Sequence, residues 1–394
     1  MRVAVVTSRW GSSWDEEHLV TRRLAGALAC TAEVDLCVAA GPVARAFQDG
    51  AVRVLQFPAL PVDDRRTAIL RRALLGPGEE DSLSVCSCVG GTARERAIGL
   101  PRSVQEEFVR GSGGQSPTLL LHLQDGNYDV VLFVGYRSAA THQGMRVVAD
   151  GSRVVLWPAA SEDPLLHLPI YDEVFARPSV VLACTRTEEA LVSRRLTDIN
   201  PISPSRVSFV LRINPLVLET PPAGFKGDPY LIIARDWAHS QPGEDLRAWA
   251  QRLEHDFQDE GLLVRLVGPG STYTRHIGGI PLSSSRTDVW RWMSRALAVW
   301  DPLPHRLLGR EVLEAMLCGS PVLVHAHGGA TREHAFLGNG GLWFTTYEEA
   351  ARCVEALLDK STRDSLSSQA STYADSEYGD SNRYVERLEE AVLA

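Results

Sequence analysis

The chain has 394 residues, 44 % of them hydrophobic and 23 % charged, with a formal net charge of −9 at neutral pH. That length exceeds what one hydrophobic core usually supports, so two domains are expected. The acidic balance argues against nucleic acid as the main partner, and no window approaches the ~18 consecutive apolar residues of a membrane span.

The first ten residues, "MRVAVVTSRW", hold an apolar run too short for a signal-peptide core and read as a buried first strand. Of the seven cysteines, Cys30, Cys37, Cys184, Cys318 and Cys353 sit inside predicted helices or strands, where a free thiol behaves as a small hydrophobe. A reduced, cytoplasmic chain is expected. Cys86-Ser87-Cys88 is too tightly spaced for a zinc knuckle and has no second half, so no metal site is assigned.

Short apolar runs alternate with helical patterns from end to end, which predicts an α/β fold with parallel sheets. In the first half the predicted strands are 2–7, 33–40, 52–58, 128–135, 152–158, 179–185 and 207–212, with helices between most of them, such as 15–30 and 186–196. Residues 63–76, "DDRRTAILRRALLG", set Arg65, Arg66, Arg71 and Arg72 beside Ile69, Leu70, Leu74 and Leu75. Such a helix can lie on an anionic lipid surface, but a surface helix of the domain is the commoner outcome. Residues 76–116 break the rhythm with Gly, Ser and charge clusters and read as a mobile or functional insertion.

A Pro- and Gly-punctuated connection, 215–229, precedes a second set of predicted strands at 230–235, 262–268, 295–300, 321–326 and 341–344. Two similar Rossmann-like halves are therefore expected, at 1–218 and 225–380, with a last helix at 381–394 packing back on the first half.

The chemistry concentrates in "PHRLLGREVLEAMLCGSPVLVHAHGGATREHAFLGNGGLWF", 304–344. Val312, Leu313, Met316 and Leu317 form a stripe that would pack a helix on its sheet, with Arg310, Glu311 and Glu314 toward the other side. Gly319 closes that helix as a left-handed cap, and Pro321 opens the next strand. Gly309 falls near the helix N-terminus, where backbone N–H groups and the helix dipole favour a phosphate. Taken alone, Glu314 reads as an exposed helical carboxylate paired with Arg310.

In order, the helix, Gly-Ser-Pro-Val turn, strand, Gly-Gly pair and "GNGGL" loop resemble the C-terminal domain of the glycosyltransferase family 4 enzymes. The resemblance implies the GT-B fold, two Rossmann-like domains facing across a cleft. It also implies that Glu314 binds the ribose hydroxyls of a nucleotide-sugar donor, and that Gly309, Arg310, Gly328 and Gly329 lie along its phosphates and sugar.

The family usually carries a second Glu eight residues earlier, where this chain has Arg306. A guanidinium there either neutralises the diphosphate or marks a site that has lost activity. Arg235 matches the family's diphosphate-binding Arg, but "DWAHSQPGED" lacks the Lys that follows it, a charge that Arg306 or Arg310 could restore. Gly268 and Gly270 resemble the Gly-rich loop near the base.

In the first half, Gly11 and Ser12 occupy the family's glycine loop, and Ser161, Glu162 and Asp163 replace its His-Asp/Glu loop as acceptor-binding candidates. Asp163 also reads as a helix cap ahead of Pro164.

The activity implied is a retaining glycosyltransferase, in which a UDP- or GDP-sugar gives up its sugar to an acceptor hydroxyl without metal or cofactor. Arg235, Arg306 and Glu314 are the expected catalytic residues. The alternative is a catalytically degenerate GT-B protein that binds nucleotide sugars or serves as a partner subunit. A dehydrogenase is disfavoured because GxGxxG is missing, and a glycosidase because no facing carboxylate pair is evident. The Trp, Arg and Ala usage fits a GC-rich bacterial genome.

Overall fold

The computed structural model describes residues 1–8, 10, 16–76, 89–199, 209–212, 230–234, 244–268, 280–281 and 286–393. The chain divides into two compact units, Met1–Pro215 with Asn382–Ala394, and Leu216–Ser381.

The first unit holds strands β1 (Arg2–Thr7), β2 (Glu33–Ala39), β3 (Arg45–Asp49), β4 (Val52–Phe57), β5 (Val130–Val134), β6 (Arg153–Trp157), β7 (Val180–Ala183) and β8 (Phe209–Arg212). Its helices are α1 (Glu16–Leu28), α2 (Asp64–Leu75), α3 (Val89–Ile98), α4 (Arg102–Gly111), α5 (Pro117–Asp125), α6 (Ala139–Val147), α7 (Asp172–Ala176) and α8 (Arg186–Ile199). The second unit holds β9 (Tyr230–Ala234), β10 (Leu263–Gly268), β11 (Ile280–Pro281), β12 (Ala298–Asp301), β13 (Val322–His325) and β14 (Gly341–Phe344). Around them lie α9 (Glu244–Asp256), α10 (Arg286–Met293), α11 (Arg310–Leu317), α12 (Ala330–Leu337), α13 (Tyr347–Leu358) and α14 (Lys360–Tyr378). The last helix, α15 (Ser381–Leu393), docks on the first unit, where Thr31 Oγ1 bonds Glu389 Oε1 at 2.7 Å and Arg153 Nη2 bonds the Ala391 carbonyl at 3.4 Å.

The first sheet runs β3-β4-β2-β1-β5-β6-β7-β8, parallel throughout except for the antiparallel edge strand β3. The second runs β11-β10-β9-β12-β13-β14, all parallel. Strands covered on both faces must be apolar along their whole length, which is why β5 and β7 are buried at every residue. Each sheet grows outward in both directions from one central pair, β1/β5 in the first and β9/β12 in the second. These pairs are the switch points, where neighbouring loops diverge and leave a crevice at the carboxyl ends of the strands.

Several sequence expectations need correction. Within 76–116, of which 77–88 lie outside the described residues, the stretch from Val89 on is packed structure: Phe108 and Val109 of α4 are buried in the first core, and Gln105 bonds the Ala97 carbonyl and the Ile170 N–H. The Gly and Ser content masked this amphipathic helix. The strand expected at 295–300 begins only at Ala298, because Arg295 and Ala296 still bond back to Trp292 and Met293 of α10. β3 has no apolar alternation, being an exposed edge strand, and went unrecognised. In α2, Leu70, Leu74 and Leu75 turn into the core and only Ile69 stands in solvent, so no apolar face is left for a lipid surface. Cys30 is exposed in the turn after α1 rather than inside an element. Cys86 and Cys88 lie outside the described residues.

Among the described residues no helix is long and apolar enough to cross a membrane, and no cluster of His, Cys, Asp and Glu is arranged to hold a metal.

Candidate functional site

At the second switch point the β12 strand runs into the turn 302–309 and then into α11. Three backbone bonds stitch this turn to the loop after β13. His305 N–H donates to the His327 carbonyl at 2.8 Å, Arg306 N–H to Gly328 at 3.0 Å, and Ala330 N–H to Arg306 at 3.1 Å. Gly329 sits at φ 62° and ψ −117°, and a Cβ there would lie 2.8 Å from the Arg306 carbonyl oxygen, so the pairing requires glycine. Gly309, at φ 70°, starts α11, and a Cβ on it would meet Thr331 Cγ2 at 2.6 Å. The first turns of α11 and α12 are thus side by side. Two helix N-termini at a switch point make a strong anion-binding environment.

The side chains of α11 are buried all round the helix. Arg310 is 8 %, Glu311 6 % and Glu314 1 % exposed, so this helix has no solvated face. Arg310 Nε bonds Glu314 Oε1 at 2.8 Å. The pairing read from the sequence is present, but as a buried pair and not an exposed one. Arg306 reaches two carboxylates, with Nε 3.1 Å from Asp301 Oδ2 and Nη2 3.2 Å from Glu311 Oε2. The Arg306 guanidinium is therefore matched by acidic groups of its own loop and helix.

At the far end of α11, Gly319 adopts φ 75°, with Gly319 N–H bonding Met316 and Ser320 N–H bonding Ala315. This is the left-handed cap expected there, in its two-bond form. His334, fully buried on α12, fixes the turn from below: Nε2 bonds the Leu308 carbonyl at 2.9 Å, while Nδ1 faces Tyr373 Oη at 3.2 Å and Tyr378 Oη at 3.4 Å. Since a carbonyl only accepts, the proton is on Nε2 and Nδ1 accepts from the tyrosines. Burial keeps this imidazole below its ordinary range and hence neutral. Two further histidines flank the loop: His327 N–H donates to His325 Nδ1 at 3.1 Å, and burial, then the neighbouring His327 and His305, lower the affinity of His325 for a proton.

Gly268 ends β10 on the same carboxyl edge of the sheet, paired with Pro281. Arg235, the next residue after β9, lies outside the described residues, as do Gly270, Gly11 and Ser12.

In the first unit the loop after β5 carries Gly135, Tyr136, Arg137 and Ser138. Gly135 is at φ 78°, where a Cβ would stand 2.9 Å from Glu17 Oε1. Ser138 caps α6 by accepting from Thr141 N–H. Arg137 Nη1 bonds Asp163 Oδ2 at 2.9 Å, and Asp163 Oδ1 accepts from Leu165 N–H at 2.8 Å. Asp163 is thus the cap foreseen before Pro164 and also an ion-pair partner at the switch point. Glu162 beside it is exposed and Ser161 half-buried.

The whole 158–163 loop is tied down by Glu188, 1 % exposed, whose carboxylate accepts from Ala160 N–H at 2.8 Å and Cys184 N–H at 2.7 Å. Sequence reading missed Arg137, Glu188 and Asp301, and placed Glu311 on the polar side of its helix without giving it a role. Arg137 carried a usable signal, three residues after the strand at a switch point. Asp301 and Glu311 become meaningful only once Arg306 is seen between them.

No protein-family model matches the chain, and no curated protein matches it in sequence. Its fold has clear counterparts among solved structures. A variant of S. aureus TarM in complex with Fondaparinux, α-GlcNAc-glycerol and UDP is 10 % identical with a TM-score of 0.55 over 69 % of this chain. The chain spans only 58 % of that protein's length. A trehalose-6-phosphate synthase studied with bisubstrate glycomimetics for glycosyl transfer with retention is 12 % identical with a TM-score of 0.64, covering 99 % of both chains. The E. coli trehalose-6-phosphate structure bound with UDP-2-fluoro glucose is 13 % identical with a TM-score of 0.62, over 98 % of this chain and 97 % of that one. At these identities the likeness shows the fold: the chain has the two-sheet α/β architecture of GT-B glycosyltransferases.

Proposed function

We propose that the protein is a retaining glycosyltransferase that takes a sugar from a nucleoside diphosphate donor, held by the second unit, and passes it to an acceptor hydroxyl presented by the first. The observation that carries this reading is the pair of abutting helix N-termini, Gly309 and Gly329, at the β9/β12 switch point with Arg306, Arg310 and Glu314 around them. Neighbours of the same fold hold UDP or a UDP-sugar, which supports the donor class.

In this reading Glu314, oriented by Arg310, accepts from the ribose hydroxyls. The diphosphate meets the N–H groups and dipoles of α11 and α12, so charge growing on the leaving group is stabilised by groups already in place. Arg235 supplies a further cation. The acceptor oxygen attacks C1 from the face the diphosphate leaves: the C1–O(phosphate) bond breaks, the C1–O(acceptor) bond forms, and the departing phosphate takes the hydroxyl proton. The charge stabilisation comes from the protein, so no metal is assigned a role. Asp163, held by Arg137, and Glu162 are assigned in this reading to bind the acceptor's hydroxyls.

One observation favours a second reading, a nucleotide-sugar binder without transfer: Arg306 is already matched by Asp301 and Glu311. Thermal unfolding with UDP, GDP, TDP, ADP and their sugar conjugates tests the donor site, because a ligand at 100 times its dissociation constant stabilises by ~2.7 kcal/mol. A base-selective rise lost in Glu314→Gln is expected, and no rise with any nucleotide would sink both readings. Hydrolysis of the stabilising donor, or transfer from it, then separates an enzyme from a binder.

A further inference from the structure

The first sheet ends at β3, a strand of five residues that lies open to solvent on both faces. Its pairing with β4 runs without a bulge from Arg45/Gln56 to Asp49/Val52, across a turn of two residues, Gly50 at φ 61° and Ala51. In such a hairpin the closing pair is a hydrogen-bonded one. Asp49, Phe47 and Arg45 therefore turn their backbone N–H and C=O groups to β4, while Ala46 and Gln48 turn theirs to the open edge. β3 has no Pro, no Lys and no bulge to keep a further strand away. Its two charges are of opposite sign and symmetric about Phe47.

The strand Arg45-Ala46-Phe47-Gln48-Asp49 is thus complementary to itself. In an antiparallel pair with a second copy centred on Phe47, Arg45 of each strand lies opposite Asp49 of the other, and Ala46 opposite Gln48. The outward groups of Ala46 and Gln48 then meet in hydrogen-bonded positions, and Phe47 meets its own copy on the two-fold axis in the closer, non-hydrogen-bonded position. Moving the centre to Ala46 or Gln48 keeps the hydrogen bonds but sets a charged residue against Phe47. Phe47 is 41 % exposed and stands edge-on to Trp10, ring centroids 6.0 Å apart, so covering it withdraws aromatic surface from water. Asp49 already receives Arg22 Nε at 3.0 Å and Nη2 at 2.9 Å. A carboxylate has room for further donors, so Arg45 of the second copy joins Arg22 without displacing it.

We propose that β3 is a self-association edge: two copies of the chain pair through it, antiparallel about Phe47, and join their sheets into one. The proposal is independent of the donor reading, since β4 and β2 separate β3 from the β1/β5 switch point.

Sedimentation velocity of the full chain tests it. The wild type should pass from monomer to dimer between about 1 and 100 μM, as befits a pairing at the small end of protein interfaces. Arg45→Asp gives a strand with two carboxylates and Asp49→Arg one with two guanidiniums. Each alone sets like charges opposite one another and should self-associate at least about tenfold more weakly. Mixed, the two variants are complementary again and should form a heterodimer of near wild-type affinity, a recovery that only folded chains can give. Phe47→Lys puts two ammonium groups on the axis, leaves the Arg22 ion pair in place, and should abolish the dimer. The proposal is overturned if the wild type stays monomeric over that range, if any single variant dimerises as tightly as the wild type, as a dimer through another surface would, or if the mixture associates no better than its components.

Discussion

Replacing Gly329 by Ala tests whether the paired loops, rather than isolated glycines, build the site. At φ 62° and ψ −117° an L-residue pays about 1–3 kcal/mol in backbone strain. The new Cβ would also lie 2.8 Å from the Arg306 carbonyl oxygen. Relieving that clash means parting the loops, at the expense of the Ala330-to-Arg306 and Arg306-to-Gly328 hydrogen bonds, about 1 kcal/mol each. A total of about 3 kcal/mol or more corresponds to a fall in Tm of about 6–12 °C for a unit of this size.

Gly319→Ala is the internal control. That residue has φ 75° but open space around its Cβ, so only the left-handed penalty of about 1–2 kcal/mol applies, or about 2–8 °C. Calorimetry of the two variants gives the Tm values, and UDP titration of each gives the affinity. Equal Tm shifts, or UDP affinity as high in Gly329→Ala as in Gly319→Ala, would refute the reasoning.

Other substitutions probe different supports. Asp35 on β2 is 1 % exposed; burial opposes its ionisation, but hydrogen bonds from Arg53, Tyr128 and Arg2 outweigh that and hold its carboxyl below the ordinary value. Its stabilising contribution is therefore present above the unfolded pKa near ~4 and is lost as pH falls through the lower folded value. Urea unfolding should show Asp35→Asn less stable by roughly 3 kcal/mol at neutral pH, with the gap closing below about pH 4; a pH-independent gap contradicts the assignment. Glu188→Gln turns one acceptor oxygen into a donor facing Ala160 or Cys184 N–H, costing about 1–3 kcal/mol, and hydrogen exchange at Ala160 should accelerate. His334→Phe keeps the ring volume but strands the Leu308 carbonyl, so it should lower Tm by several degrees and weaken nucleotide binding; unchanged binding would detach this histidine from the site.

The strands were legible because parallel sheets demand uninterrupted apolar runs, and 2–7 and 341–344 appear in the structure with those bounds. β3 carries no such demand, since an edge strand exposed on both faces can be spelled RAFQD. The turns at both ends of α11 and before α12 were legible through their glycines: Gly309, Gly319 and Gly329 all have positive φ, a property a single residue type reports directly. Charge pairing was not. Whether Glu314 is exposed or 1 % exposed depends on what packs over α11, and the two partners of Arg306 lie five residues to either side of it on different elements. Burial of α4 was hidden for a similar reason, since its apolar residues acquire meaning only against a core assembled from distant strands.

The tie between His334 and two tyrosines of α14 bears on where the chain can be divided. α14 looks dispensable by composition, a polar helix burying only Ala370, Ala374 and Tyr378. Yet a Cβ on Gly340 would meet Ala370 Cα at 2.5 Å, so the helix backbone rests directly on the turn before β14, while its tyrosines hold the imidazole that props the α11 turn. A fragment ending at Leu358 would retain every strand of the second sheet and still lose the prop beneath the turn that starts α11. One ending at Gly379 would keep it.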